Sequence, residues 1–182
     1  MIGCKNDSQI ENSIQLVEVD KKELILKPNE GLLLFKEQPF TGYAVQYYHN
    51  DVMAEKIAYL NGKRNGIYKK WFETGLLSFE SNYKDGLQDG TTRSWWSNGN
   101  LRSVALFENG IAHGKQTQYY KSGSIFKEMN LNNGREDGMQ TAYRKNGKIY
   151  NNYEAKNGRI FGLKRATLCF NLENQSVVSD TL

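Results

Sequence analysis

The side chains that could do chemistry are few in this chain, and their spacing keeps them apart. Histidine occurs twice, at His49 and His113. Cysteine also occurs twice, at Cys4 and Cys169, with no Cys-x-x-Cys or His–Cys spacing that could hold zinc. Carboxylates recur at Glu80 and Glu128 and at Asp89 and Asp137, again far apart in sequence. A serine nucleophile would need a histidine and a strand-to-helix elbow, and neither is present. These observations predict no catalytic residues, no metal and no cofactor.

Aromatic and basic side chains are the remaining candidates, and their positions are set by an internal repeat. Glycine recurs every 24 residues at Gly42, Gly66, Gly90, Gly114, Gly138 and Gly162. A second series runs in phase at Gly62, Gly86, Gly110, Gly134 and Gly158. A third sits at Gly75, Gly99, Gly123 and Gly147, with Asp51 in the corresponding first place. Cut at the leading glycine, residues 42–161 divide into five units without a gap, from GYAVQYYHNDVMAEKIAYLNGKRN to GMQTAYRKNGKIYNNYEAKNGRIF.

Each unit holds two segments rich in Tyr, Trp, Phe, Ile, Leu and Thr, parted by turn dipeptides. Asn-Gly and Asp-Gly supply the positive φ angles of a type I′ turn, so each unit reads as a β-hairpin. A helix fails, because glycine would interrupt it repeatedly. The expected fold is all-β: an elongated, single-layer antiparallel meander of about a dozen strands, with turns at Asn61-Gly62, Asp85-Gly86, Asn109-Gly110, Asn133-Gly134 and Asn157-Gly158. An apolar content of only 38% against 12% aromatics agrees with a thin sheet rather than a thick core. At two strands per unit, His49 and His113 would stand on the order of 25 Å apart. The carboxylate pairs, whole units apart, exceed the span of about 5–9.5 Å used by glycosidases.

Even spacing along the second strand predicts that three columns share one face: Met53/Leu77/Leu101/Ile125/Ile149, Ile57/Ala105/Met129/Tyr153 and Tyr59/Tyr83/Phe107/Leu131. The first strand carries two adjacent aromatic columns, Tyr47/Trp71/Trp95/Tyr119/Tyr143 and Tyr48/Phe72/Trp96/Tyr120, which point to opposite faces. A two-residue first turn puts the second of these on the apolar face, whereas a three-residue turn with a bulge reverses the assignment. The sequence leaves both open. The leading glycines read as strand positions over which rings of the Tyr59/Tyr83/Phe107 column lie.

The pattern G-x-x-x-x-[YW]-[YFW]-x-x-G-x-[LI], an aromatic, then N-G-x-x-x-G resembles the bacterial variant of the MORN repeat. PFTG at 39–42 resembles the opening of arrays in the YwqK-type antitoxin family. The resemblance covers residues 39 to about 165. It implies a non-catalytic, protein-binding immunity factor whose partner is a toxin.

The ends differ from the units. Residues 1–13 read as a polar tether, and residues 14–41, with IQLVEV, ELILK and GLLLF, read as cap strands. Residues 162–182 hold a degenerate unit and a closing segment in which Cys169 is a buried, inert thiol. Met-Ile-Gly-Cys resembles the end of a bacterial lipoprotein signal. It implies lipidation of Cys4 and an envelope location, given a hydrophobic segment upstream; a cytoplasmic location is the alternative.

Charge is polarised along the chain. Residues 115–165 hold eleven Lys or Arg against four acids, whereas residues 1–114 hold thirteen against fourteen. The basic half would steer an acidic partner or an anionic surface. The candidate contact residues are Trp71, Trp95, Trp96, Tyr119, Tyr120 and Tyr143, with Arg93, Arg144 and Lys145 as charged neighbours. A toxin-binding face is the expectation, and nucleic acid, although aromatics stand beside the basic residues, is not expected as the partner. A surface lipoprotein for glycan or anionic headgroups, and a scaffold for assembly, are the alternatives. Oligomeric state stays open.

Overall fold

The computed structural model describes residues 17–163, 171–173 and 176–178. The tether, Cys4 and Cys169 lie outside the described residues. After a short first strand β1 (Glu18–Asp20) and a 3-10 turn come β2 (Ile25–Lys27), β3 (Leu32–Phe35) and β4 (Gln38–Pro39). The repeat region follows as β5 (Gly42–Tyr47), β6 (Met53–Leu60), β7 (Lys63–Trp71), β8 (Leu77–Lys84), β9 (Leu87–Gln88) and β10 (Gly90–Trp95). It continues through β11 (Leu101–Glu108), β12 (Ile111–Ala112), β13 (Gly114–Tyr119), β14 (Ile125–Asn132), β15 (Arg135–Tyr143), β16 (Ile149–Lys156) and β17 (Arg159–Leu163). Two further strands, β18 (Asn171–Glu173) and β19 (Ser176–Val178), pair with each other.

One sheet runs in chain order from β5 to β17, a meander of hairpins, and β1 adds to its first edge in parallel with β5. β9 and β12 are short pieces that pair back onto β8 and β11. No α-helix occurs among the described residues. This is the expected all-β, single-layer meander, and its sheet path has twelve strands. The five predicted type I′ turns are present. Asn61, Asp85, Asn109, Asn133 and Asn157 have φ of 48–51°, each followed by a glycine at positive φ.

The other turn settles the open alternative. Tyr48 N donates to Val52 O and Asp51 N to Tyr48 O, with Asp51 at φ 60°. This is a three-residue loop whose last residue is left-handed. The same pair of bonds recurs at Phe72/Leu76, Trp96/Asn100, Tyr120/Ser124 and Arg144/Lys148.

A bulge accompanies each loop. Gln46 pairs with Glu55, but Tyr47 pairs with Met53, which leaves Ala54 unopposed. The register slips at the same phase in every unit. The bulge corrects one expectation. Because an unopposed residue intervenes, the Met53/Leu77/Leu101/Ile125/Ile149 column pairs with the Tyr47/Trp71/Trp95/Tyr119/Tyr143 column. It therefore lies on the face opposite Ile57, not on the same one.

A second irregularity sits at the leading glycines. Ile57 pairs with Tyr68 and Tyr59 with Arg64, so four steps of β7 oppose two of β6. Met129–Gln140 and Leu131–Glu136 repeat the pattern. Gly66 and Gly138 lie in these bulges at φ +100° and +86°, where a side chain on the residue is strained. This replaces the expected ring-over-glycine packing. The Cβ that Gly66 lacks would meet Ala58 Cβ at 3.2 Å rather than a ring.

Between the two irregularities each hairpin is regular, and the cross-strand pairs link into one row along the sheet. It runs Ala44, Ile57, Tyr68, Ser81, Thr92, Ala105, Gln116, Met129, Gln140, Tyr153, where the steps Ser81 to Thr92 and Ala105 to Gln116 continue the register of the ladder pairs beside them. This row is the core, and we call its side the core face. Ile57 is 1% exposed, and Ser81 and Gln140 are fully enclosed.

The polar members of the row are bonded in place. Ser81 Oγ and Thr92 Oγ1 are 2.6 Å apart, and Gln88 Nε2 donates to Ser81 Oγ at 3.2 Å. Gln116 Nε2 donates into its bulge, to Leu106 O at 3.1 Å and His113 O at 2.8 Å. Gln140 Nε2 does the same to Asn130 O at 2.7 Å. Leftover bulge carbonyls are thereby satisfied, as buried backbone requires.

The first unit is covered by the segment before it. Val19, Phe40 and Ala44 form an apolar cluster with Leu24, Leu33, Phe35 and Tyr59 packed against it. The β3–β4 hairpin stacks on the first Asn-Gly turn through Leu33 N to Gly62 O and Gly62 N to Phe40 O. The second of these recurs as Gly86 N to Arg64 O, Gly110 N to Gln88 O and Gly134 N to Ala112 O.

Glu55 ties the same region together. Its carboxylate accepts from Lys21 and from the Tyr68 hydroxyl, with Lys70 Nζ at 3.6 Å. Burial pushes this carboxyl up, but the two hydrogen bonds and the two cations outweigh it and hold it below its ordinary value. A lowered folded-state pKa contributes stability above the unfolded value, about 4.3, that is lost as pH falls through the folded value. The stability advantage of wild type over Glu55→Gln is therefore expected to be largest near pH 7 and to shrink below pH ~4. Thermal melts across that range check it, and an advantage that does not change with pH refutes it.

Candidate functional site

The face opposite the core row, which we call the outer face, carries a charged row and an apolar strip. The row runs Val45, Lys56, Lys69, Glu80, Arg93, Val104, Thr117, Glu128, Thr141, Asn152. Its charges pair along and across strands. Glu80 lies 3.2 Å from Lys69 Nζ and 3.7 Å from Arg93, and Glu128 lies 2.6 Å from Lys115 Nζ. The Lys115 bond lowers the Glu128 pKa against the opposing effect of burial, and the Tyr143 hydroxyl, donating at 3.1 Å, adds to the lowering.

Beside that row, on the loop side, runs the apolar strip. Five cross-strand pairs compose it: Tyr47–Met53, Trp71–Leu77, Trp95–Leu101, Tyr119–Ile125 and Tyr143–Ile149. Aromatic–aliphatic pairs of this kind stabilise antiparallel sheets by about 0.2–1 kcal/mol each. None of the ten is fully buried, and Tyr47, Ile125 and Ile149 are exposed. The strip thus combines sheet packing with a continuous apolar surface, larger than the scattered apolar residues that a monomer ordinarily shows.

The second aromatic column turns to the core-face side at the loop edge, and it stitches units together. The Tyr48 hydroxyl donates to Trp71 O at 2.8 Å, Trp96 Nε1 to Tyr119 O at 3.2 Å, and the Tyr120 hydroxyl to Tyr143 O at 2.8 Å. Two of the junctions between hairpins pair only briefly: β8 meets β10 through Glu80–Arg93 and Phe79–Ser94, and β11 meets β13 through Ser103–Gln118 and Val104–Thr117. The ring tips cap carbonyls that the ladder has left behind. Loop asparagines do likewise, with Asn98 Nδ2 on Lys121 O at 2.9 Å.

The structure therefore parts the sequence-derived contact residues. Trp71, Trp95, Tyr119, Tyr143 and Arg93 lie on the outer face. Trp96, Tyr120 and Arg144 lie at the loop edge on the other side, and Lys145 is exposed at the tip of the last loop. Sequence reasoning missed Arg102, whose guanidinium stands 4.9 Å over the Trp96 ring, and Phe126, tilted against Tyr120 at 5.0 Å. Both occupy the bulge position, two residues past the loop glycine plus one, a phase that the period itself exposes once the bulge is known.

His49 is exposed in the first loop and His113 is half-buried at a bulge. No group of three or more His, Cys, Asp or Glu side chains that could hold a metal occurs among the described residues. No helix among them is long and apolar enough to cross a membrane.

An open meander of stacked hairpins, with its chemistry spread along repeated rows rather than gathered in a pocket, defines a repeat protein that presents surfaces. The three central units, residues 64–85, 88–109 and 112–133, match the family model described as the MORN repeat variant. A MORN repeat variant is thus found at three consecutive repeats, and the hairpins on either side share their geometry. No curated protein matches the chain.

Proposed function

We propose that the protein is a non-catalytic binding module that docks a protein partner on its outer face, across repeats two to five. One observation supports this above the others: the ten-residue apolar strip from Tyr47–Met53 to Tyr143–Ile149 stays open to solvent beside a row of paired charges. Aromatic anchors with Arg at their side are the composition of interface centres, and rows of charge suit a rim. Trp71 and Trp95 are the anchors, Tyr119 and Tyr143 extend them, and Arg93 is the charged neighbour. The resemblance to antitoxin arrays makes a toxin the partner of choice.

The test has two arms. A protein captured on the wild-type chain is purified and titrated against Trp71→Ala and Trp95→Ala. Each substitution is expected to weaken binding by about 2 kcal/mol or more, roughly 30-fold, while half-burial limits the stability loss to about 1–2 kcal/mol. Expressed alone, the captured protein is expected to arrest growth, and co-expression of the wild-type chain to restore it. Unchanged affinity in both variants overturns the docking face, and a harmless partner overturns the antitoxin reading. The envelope location goes with the Met-Ile-Gly-Cys run, and is tested by palmitate labelling of the gene product and its Cys4→Ser variant.

A further inference from the structure

The excess of positive charge belongs to one edge of the sheet, not merely to one half of the chain. The loop ends of the last three units are the segments 95–103, 119–127 and 143–151. They contain Arg102, Lys121, Lys127, Arg144, Lys145 and Lys148, and no carboxylate. The corresponding segments of the first two units, 47–55 and 71–79, contain Asp51, Glu55 and Glu73 and no Lys or Arg. Chain topology stacks these five segments along a single edge. Glu55 is buried and paired with Lys21 and Lys70, so the edge runs from mildly acidic at the first two units, through exposed Asp51 and Glu73, to strongly basic at the last three.

Of the six cations, Arg102 packs over the Trp96 ring, and the other five lie at the loop ends. On the outer face and beside Glu55, Lys69 and Arg93 pair with Glu80, Lys115 with Glu128 and Lys70 with Glu55. None of the six forms an ion pair with a carboxylate among the described residues. Lys121, Lys145 and Lys148 are exposed, as is Arg102. Like charges held this close repel one another, so the arrangement is destabilising by itself and favours an anionic ligand.

Two polyanions fit such an edge in principle, and the rings decide between them. Binding of a single nucleic acid strand relies on aromatic faces on which bases stack. Here Arg102 covers the Trp96 ring, Phe126 lies against Tyr120, and both aromatic tips are bonded to backbone carbonyls. On the core-face side of the edge these rings are committed to the fold and leave no stacking platform; the part-open rings of Trp95, Tyr119 and Tyr143 belong to the outer face. A carboxylate-bearing chain needs only the cations. Lys121 and Lys145 occupy the same phase of successive units, two strands or about 10 Å apart. Three residues of extended polypeptide span that distance, and guanidinium groups bind carboxylates bidentately.

We infer that the loop edge of repeats three to five is a docking site for an extended acidic polypeptide segment, oriented by the reversal of charge along the edge. The site is independent of the outer-face strip.

The test is fluorescence anisotropy of the full chain with a labelled oligo-glutamate peptide of about twelve residues. A labelled oligo-thymidylate of similar length runs in parallel, at about 50 and 150 mM salt. The peptide is expected to bind, more weakly at the higher salt, and the Lys121→Glu/Lys145→Glu variant to lose at least tenfold in affinity. Reversal of Lys63 and Lys84, on the opposite edge, and Trp71→Ala on the outer face are expected to leave peptide binding within about twofold. The loop substitutions alter no packed side chain, and circular dichroism confirms that the variant is folded. Failure of the peptide to bind, equal loss on reversing the distal lysines, or tighter binding of the oligonucleotide than of the peptide overturns the proposal.

Discussion

Replacing Ile57 with alanine is expected to destabilise the sheet by about 2–5 kcal/mol, whereas Ile67→Ala should change stability by no more than about 0.5 kcal/mol. The two isoleucines lie ten residues apart on adjacent strands. Ile57 is enclosed between its cross-strand partners Ala44 and Tyr68, at 1% exposure. Its loss leaves a cavity, because Tyr68 is fixed by its bond to Glu55 and by Phe79 at 5.4 Å, and cannot collapse into the space. Ile67 faces outward beside a glycine bulge and is 47% exposed. In a repeat array each unit contacts only its neighbours, so the damage should stay local. Denaturant melts give the magnitude, and hydrogen exchange gives the place: for Ile57→Ala, amides of β5–β8 should lose protection while those of β14–β16 keep it. Equal destabilisation by the two substitutions would mean that the faces have been assigned the wrong way round.

That assignment is the part of the fold that the sequence did not disclose. The 24-residue period, the hairpins and the five type I′ turns were all legible, because Asn-Gly and Asp-Gly impose a backbone that few other dipeptides accept. The face of each column was not. Alternation along a strand predicts faces only while the register is unbroken, and each of units two to five breaks it twice. One break follows the three-residue loop, where Ala54 and its equivalents stand unopposed. The other lies at the leading glycine. Neither leaves a mark in hydrophobic pattern, since bulge residues as different as Ala54, Ser78, Arg102, Phe126 and Tyr150 occupy one phase. Asp51 shows why the loop length was also hidden. It adopts φ 60° in the place that glycine takes in the other four units, so glycine alone did not define the turn.

The candidate site was legible to a similar depth. The aromatic columns were visible as columns, and that neighbours point to opposite sides followed from alternation. What the second column does was not visible. Tyr48, Trp96 and Tyr120 each donate to a backbone carbonyl 23 residues onward, a partner that only the stacking of hairpins supplies. Phe72, at the same phase, has no polar tip and makes no such bond, so the stitching is a feature of three units rather than of the period. The basic excess was likewise read as a property of half the chain. Topology concentrates it along one edge, where it has a direction.

Gly42→Ala is expected to be the most damaging of the glycine substitutions, at about 3 kcal/mol or more. Two contributions of about 1–3 kcal/mol each combine there. The first is backbone strain, since Gly42 adopts φ +149°. The second is a collision: an added Cβ would lie 2.4 Å from Val17 O and 2.9 Å from the Phe40 ring. The carbonyl cannot yield cheaply, because Val17 O accepts the Tyr43 amide at 2.9 Å and so carries β1 onto β5. Nor can the ring, which is buried with Val19 and Ala44 in the cluster that covers the first unit. Gly86→Ala separates the two contributions. Gly86 has φ +89° but nothing within 4 Å of its missing Cβ, so strain acts alone and the cost should stay near 1–3 kcal/mol. Gly66→Ala should fall between, since Ala58 Cβ at 3.2 Å must give way slightly. The ordering Gly42 > Gly66 > Gly86 in denaturant melts is the prediction, accompanied in Gly42→Ala by lost amide protection at Val19 and Tyr43. A Gly42→Ala variant no less stable than Gly86→Ala would show that β1 does not hold the first edge of the array, and the account of how that edge is covered would fall with it.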